Sequence, residues 1–262
     1  MQEIKRYHYE QQLSELFYEL EGKIHGEYRT WYDDGTLSSI KHYQHGKLHG
    51  EYKVWHCNGT LATYAHYSNG EYHGEYTSWH ADGNIEMRCH YENGNFQGEY
   101  KSWFHNGILA RHCYYKDGRY DGEYISWYTD GSPAKHCYYE YGKLHGESKQ
   151  WYSNGNMAIH CHYDHGRFHG EYISWYTDGS PAKHNHYQHA RRHGECKHWD
   201  EDSELIIHDF WANGEMVTDQ IFKLVSDVNN ITQEERLIVK LVVGIDCLSH
   251  RNMCRDLHRT TK

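Results

Sequence analysis

Along most of this chain the apolar positions are aromatic, and they alternate with polar ones in short runs broken by glycine, as in EYRTWYDDGTLSSIKHY over residues 27–43. Period-two alternation between turn residues predicts half-buried β-strands. The alternation is itself periodic. Gly-Glu recurs at Gly26, Gly50, Gly74, Gly98, Gly122, Gly146, Gly170 and Gly194, and Trp at 31, 55, 79, 103, 127, 151, 175 and 199, a period of 24 without a slip. A fixed period makes each residue a member of a row before it is anything else. Tyr43, Tyr67, Tyr91, Tyr115, Tyr139, Tyr163 and Tyr187 form a further row. A second glycine follows each Trp by four residues until Ser203 replaces it, and a third series from Gly22 to Gly166 is broken by Ala190 and resumes at Gly214.

Asp34-Gly35, Asn58-Gly59 and their equivalents separate two short aromatic runs in each unit, and Asx-Gly there predicts a two-residue hairpin turn. The second connection, YQHGKLHG over residues 43–50, reads as longer and looser. Each unit is then a β-hairpin, and the fold class is an all-β repeat: an elongated single-layer antiparallel meander of 24-residue hairpins. With a two-residue loop, Tyr32 faces Leu37, Trp31 faces Ser38, Tyr28 faces Lys41 and Glu27 faces His42. One side collects the Tyr rows with Cys89, Cys113, Cys137 and Cys161; the other collects the Glu, Trp and His rows, with a small residue such as Ala62 or Ala110 opposite each Trp. A one-residue change of loop length would exchange the two sides.

The ends depart from the repeat. Residues 1–21 keep only Phe17-Tyr18 as an off-register echo, which predicts a degenerate N-terminal cap made of an edge strand or a short helix. Eight repeats and a closing strand occupy 22–217. Over 218–262 the period becomes helical, with Ile221, Phe222, Val225 and Val228, then Ile238, Leu241, Val242, Ile245 and Leu248, the second set opened by the capping box Thr232–Glu235. A short α-helical C-terminal cap is expected, with Ile238, Leu241, Val242, Ile245 and Leu248 as a candidate association helix for dimerisation or partner binding.

Charge narrows the function classes. The formal net charge of -10 lacks the cationic surplus a nucleic-acid binder needs, although 26 His would make the surface pH-sensitive. No N-terminal run reads as a signal peptide, and the longest apolar segment, 237–248, is interrupted by Lys240 and Asp246, so a soluble cytoplasmic protein is expected. Equivalent Cys lie two strands apart, too far for disulfides, as a reducing compartment permits. His160-Cys161-His162 places its two His about 7 Å apart along a strand, too far to share an ion without a third group. The Glu27–His42, Glu51–His66 and Glu75–His90 pairs recur along an open sheet and read as surface ladders, and no nucleophile elbow, P-loop or dinucleotide fingerprint is present. No catalyst, metal or cofactor is expected. GEYISWYTDGSPAKH occurs identically at 122–136 and 170–184, which reads as duplication of a two-repeat block.

The unit HGEYxxWYxNG, with its return xxHCYYxxGKLHGEY, resembles the MORN-repeat family and in particular its longer YwqK-like variant, over about residues 20–216. Chains dominated by it include MORN-repeat proteins of giant DNA viruses of amoebae and of some bacteria. The resemblance implies a curved single-layer scaffold that contacts proteins or lipids, or an antitoxin-like partner of a toxic protein. The Trp row, Trp31, Trp55, Trp79, Trp103, Trp127, Trp151, Trp175 and Trp199, is the candidate interaction row. A protein partner is the first expectation, lipid headgroups the second and a stacked glycan the third, with homo-oligomers through the C-terminal helices or a sheet edge.

Overall fold

The computed structural model describes residues 1–9 and 12–217 and places nineteen strands there. The fold is an all-β antiparallel meander with a repeat of about 24 residues. Contacts divide the chain into two units, one of Met1–Ile159 with Tyr163–Gly166, the other of His160–His162 with the chain from Arg167 onward. In the first, every strand from Gln2–Tyr7 to Lys143–Trp151 pairs antiparallel with the next. In the second, Arg167–Trp175 pairs with Pro181–Gln188, which pairs with Arg191–Trp199, then Leu205–Ala212, then Glu215–Met216. The expected C-terminal helices, with Ile238, Leu241, Val242, Ile245 and Leu248, lie outside the described residues.

The two turns of each unit exchange the geometries expected from the sequence. At Asp34-Gly35, Tyr32 N–H donates to the Thr36 carbonyl at 2.8 Å and Gly35 N–H to the Tyr32 carbonyl at 2.9 Å, so the loop holds three residues. Only Gly35 takes a positive φ, 84°, while Asp34 Oδ1 accepts the Thr36 N–H at 2.8 Å and fixes a type I turn. The tight two-residue turn is instead His45-Gly46, with φ 50° and 84° and Gln44 paired to Lys47. Its non-Gly residue recurs with φ between 48° and 54° as Asn69, Asn93, Asp117, Tyr141 and His165.

A bulge restores the register that the longer loop shifts. Trp31 pairs with Leu37 and Thr30 with Ser39, leaving Ser38 extra, after which Tyr28–Lys41 and Glu27–His42 pair as expected. Thr30 Oγ1 lies 2.6 Å from both Ser38 Oγ and Ser39 Oγ. The expected pairing of Trp with a small residue is therefore corrected. Trp55 faces Leu61, Trp103 faces Leu109, and Trp127 and Trp175 face Pro133 and Pro181, the first residues of their strands. Tyr32 is not paired with Leu37; its hydroxyl donates to the Trp55 carbonyl of the next unit at 2.6 Å.

The Gly of Gly-Glu occupies a second, wider bulge, as at Gly26, Gly50, Gly74, Gly98, Gly122, Gly146 and Gly194. Between Tyr43–Leu48 and Lys41–Tyr52 one strand carries three residues against one, and Gly50 sits there with φ 97° across from His42. A side chain at Gly50 would start 3.5 Å from His42 Cβ.

The expected Tyr/Cys side forms, and its rings pack against each other. Centroids run Tyr52–Tyr67 5.2 Å, Tyr67–Tyr72 4.4 Å, Tyr72–Tyr91 4.9 Å, Tyr91–Phe96 4.6 Å, Phe96–Tyr115 4.9 Å and Tyr115–Tyr120 4.6 Å. Each such pair adds about 0.5–1.5 kcal/mol beyond its area. Tyr72, Phe96 and Tyr120 belong to a row with Leu48 and Leu144 that the sequence reading did not place. Beneath the rings Cys113, Cys137, Cys161 and Cys196 are buried. Burial pushes the Cys89 thiol up to about 12, the Cys113 thiol to about 11 and the Tyr28 phenol to about 12. Residues 1–21 supply two strands rather than a helix, and buried Phe17 stacks on Tyr28 at 5.0 Å. Phe17 pairs with Tyr28 as Ala65 pairs with Tyr76, so it is in register with the Cys row.

Candidate interaction surface

The opposite side is built from Glu of each Gly-Glu and the residues two and four further along the strand. Alternation carries Glu27, Arg29 and Trp31 to one side, and the same holds for every copy. The residue two after Glu closes an ion pair where it is basic: Arg29–Glu27 2.6 Å, Lys53–Glu51 2.8 Å, Lys101–Glu99 2.7 Å and Lys149–Glu147 2.8 Å in the first unit, Lys197–Glu195 2.8 Å in the second. These Lys hydrogen bonds hold the Glu51, Glu99 and Glu195 carboxyls below the usual carboxylate range.

The Glu–His pairing differs from the one expected. Glu27 and His42 are opposite in register but 3.9 Å apart at their charged atoms, and the ring Nδ1 of His42 meets the Glu51 carbonyl at 3.0 Å. The close partner is the His two residues nearer the turn. His112 Nε2 lies 2.9 Å from Glu99 Oε1, His136 Nε2 2.9 Å from Glu123, His184 Nε2 2.7 Å from Glu171 and His208 Nε2 2.8 Å from Glu195, while Tyr64 hydroxyl donates to Glu51 at 3.2 Å. The result is a grid of alternating charge, repeated from hairpin to hairpin on an open face.

Every Trp of the candidate row is half-buried, at the turn end of its strand beside this grid. Its backbone carbonyl is a staple point for the preceding unit. His56 Nε2 meets the Trp79 carbonyl at 2.9 Å, Tyr128 hydroxyl donates to Trp151 at 2.7 Å, and Tyr176 to Trp199 at 2.8 Å. The same staple reaches back to the N-terminal strand pair, where His8 Nε2 meets the Trp31 carbonyl at 3.1 Å. A cleft of about 530 Å³ near the turn end of the strands, lined by Tyr76, Met87, Tyr100, Trp103 and Phe104, is open to solvent. The outer strand of the first unit, Gln2–Tyr7, carries Glu3, Lys5 and Arg6, with Lys5–Glu3 at 2.6 Å and Arg6–Glu15 at 2.8 Å. Charge on an edge strand disfavours pairing with another chain. Side chains able to ligate a metal gather as Glu140, His145 and His165 in the first unit and as Glu171, His184 and His186 in the second.

The model of a family described as "MORN repeat variant" matches six segments, 24–45, 48–69, 72–93, 96–117, 144–165 and 168–189, just over half of the 262 residues. The chain belongs to the MORN repeat variant family. Each matched MORN segment opens after one tight turn and closes at the next, so the family unit is the hairpin centred on Asx-Gly. The match passes over 120–141, yet that segment forms the same MORN hairpin, with Glu123–Tyr138 and Trp127–Pro133 aligned as Glu171–His186 and Trp175–Pro181 are. No curated protein matches the chain. Among solved structures, "Crystal Structure of TcdB2-TccC3" is 9% identical over 82% of this chain, with a TM-score of 0.19, and the chain spans 15% of that one's length; a likeness this low carries no argument. No helix among the described residues is long and apolar enough to cross a membrane.

Proposed function

We propose that this MORN-repeat chain is a non-enzymatic scaffold whose Glu–Lys–His side, with its row of Trp, binds a partner protein. The observation that carries this reading is the contrast between the two sides. The Tyr side is filled by its own stacked rings, with centroids as close as 4.4 Å, while the other side repeats charges of both signs beside a large aromatic. Half-buried Trp beside charged groups is the composition of interface anchors. MORN repeats are typically scaffolds for protein or membrane contact, which supports the same class. The resemblance to the long repeats of giant-virus and bacterial proteins suggests a viral or host-modulating factor, or an antitoxin-like partner of a toxic protein, acting in the cytoplasm.

Two other occupants fit less well. Lipid headgroups need free cations, and on this side Arg29, Lys53 and Lys101 each lie within 2.8 Å of a Glu. A glycan needs an open ring face, and the Tyr faces stack on one another. The test is crosslinking mass spectrometry in cells that make the protein, comparing the wild-type chain with Lys53→Glu/Lys101→Glu/Lys149→Glu. Crosslinks to a specific protein that vanish in the charge-reversed chain, with far-UV circular dichroism unchanged, are expected. The same crosslinks in both chains, or flotation on vesicles at pH 7 and pH 5 without any protein partner, would overturn the reading.

A further inference from the structure

The tight turns carry a second set of side chains that the scaffold does not require. In several repeats, the residue three after the turn points toward the N–H of the following tight turn, twenty residues on. His25 Nδ1 accepts the His45 N–H at 3.4 Å, Gln97 Oε1 accepts the Asp117 N–H at 2.9 Å, and Asp121 Oδ1 accepts the Tyr141 N–H at 3.3 Å. His145 occupies the same place but behaves differently. Its Nδ1 is shut off from solvent and has no hydrogen-bond partner. It lies 3.7 Å from Glu140 Oε2 and 3.7 Å from Asp164 Oδ1. His165 stands over it, ring centroids 5.0 Å apart at 72°, with Nε2 3.9 Å from Glu140 Oε2 and Nδ1 2.6 Å from Asp164 Oδ1.

The 3.7 and 3.9 Å distances are longer than hydrogen bonds and leave room for an ion between the donor atoms. A tetrahedral Zn²⁺ with bonds of about 2.0–2.2 Å holds its ligand atoms about 3.3–3.5 Å apart, too wide for hydrogen bonds between them. One donor atom from each of Glu140, His145 and His165 lies within 4.8 Å of the others, so small side-chain rotations reach that geometry. Asp164, bonded to Nδ1 of His165, fixes the tautomer that leaves Nε2 as the ligand, the arrangement by which carboxylates orient metal-bound imidazoles. An unpartnered imidazole nitrogen between two carboxylates is the electron-pair donor such an ion would take. The mixed imidazole and carboxylate set suits Zn²⁺ over Mg²⁺ or Ca²⁺.

We propose that Glu140, His145 and His165, with Asp164 as the orienting carboxylate, bind a divalent transition-metal ion, Zn²⁺, through three protein ligands and one open position. The Glu171–His184–His186 group differs, because its Glu–His pair is closed at 2.7 Å as in the ladders of other hairpins. The chain also contains its own control. His25 and His45 stack at the same 5.0 Å, but Leu20 and Gln44 stand where Glu140 and Asp164 do, and His25 Nδ1 is engaged by the turn.

The experiment is diethylpyrocarbonate modification of the untagged full chain, read peptide by peptide, with Zn²⁺ alone added up to one equivalent. Modification of His145 and His165 should slow at least tenfold, while His25 and His45 react as before. His145→Gln keeps the turn, since Gln97 fills the equivalent place, and should restore the reactivity of His165. Glu140→Gln, with circular dichroism unchanged, should raise the Zn²⁺ concentration needed for protection tenfold or more. Equal protection of both His pairs, no protection of His145 and His165, or protection of His165 that persists in His145→Gln would each overturn the proposal.

Discussion

Gly122, the Gly-Glu glycine with the largest φ, is poorly replaceable by an L-residue, and Gly122→Ala tests why. Gly122 has φ 111°, and a side chain there would start 3.4 Å from Tyr114 Cβ. An L-residue in the left-handed region costs about 1–2 kcal/mol. At φ 111° the backbone lies beyond that well, where strained conformations cost up to about 3 kcal/mol. Alanine also restricts the unfolded chain, which returns about 0.4–1 kcal/mol. The net expectation is a loss of about 2 kcal/mol, a roughly thirtyfold rise in local opening. Gly155→Ala is the comparison, because φ is 88° there and a side chain would meet nothing within 4 Å. That loss should be about 1 kcal/mol or less.

Amide hydrogen exchange read by mass spectrometry measures both. Stacked repeats contact only their neighbours, so faster exchange should centre on the strands Leu109–Lys116 and Arg119–Trp127 and fade within a hairpin on either side. Equal costs for the two variants would refute the bulge argument. Uniform loss of protection from residue 20 to residue 216 would refute the nearest-neighbour picture.

Three more expectations rest on the aromatic side. Alkylation of the native chain should modify Cys57, which is exposed, and spare Cys89, Cys113, Cys137, Cys161 and Cys196 until denaturant is added; peptide mapping that finds Cys113 modified in the folded chain would contradict its burial. Burial raises the phenols of Tyr28, Tyr67 and Tyr115, so the folded state keeps protons that the unfolded chain loses near pH 10. Stability should be intact below about pH 10 and fall as pH rises toward the folded values, with tyrosinate absorbance appearing together with unfolding; free titration near pH 10 with circular dichroism intact would refute this. Ser148 stands buried in the Tyr row with a hydroxyl that has no partner, so Ser148→Ala should raise stability by about 1 kcal/mol in urea unfolding, and a loss of that size would show an unrecognised bond.

The strands, the rows and the two sides were legible in the sequence because a strict period preserves them. The turns were not, for local reasons. Asx-Gly suggested a two-residue turn, but Asp34 Oδ1 takes the Thr36 N–H and keeps Asp34 itself out of the left-handed region, which adds a residue to the loop. The true tight turn was hidden because Glu21, His45, Tyr141 and His165 take the positive φ that Asn69 and Asn93 would have advertised. The row of Leu48, Tyr72, Phe96 and Tyr120 was missed because its chemistry varies while its place does not. Glu pairs with the His two residues nearer the turn because side chains lean along the strand, so register alone names the wrong partner. The site at His145 left one trace in the sequence, a His-His pair twenty residues apart, which becomes distinctive only when Glu140 and Asp164 are seen beside it.

The two copies of GEYISWYTDGSPAKH separate what a hairpin determines from what its surroundings determine. In both, Asp accepts the N–H two residues on at 2.8 Å, for Asp130 with Ser132 and Asp178 with Ser180. The turn glycines adopt φ 87° and 91°, and Glu123–His136 and Glu171–His184 close at 2.9 and 2.7 Å. The turn and the ladder therefore repeat with the string, while the bulge glycine does not, with φ 111° at Gly122 and 78° at Gly170. Further differences lie just outside the string, where Tyr138 faces Glu123 and His186 faces Glu171, and where Asp121 accepts the turn N–H of Tyr141 while His169 instead stacks on His189. Any partner or ion that distinguishes one hairpin from the other must read those positions. Discrimination between hairpins of such an array is thus written in the residues that break the repeat, and the repeated ones fix where the exceptions are displayed.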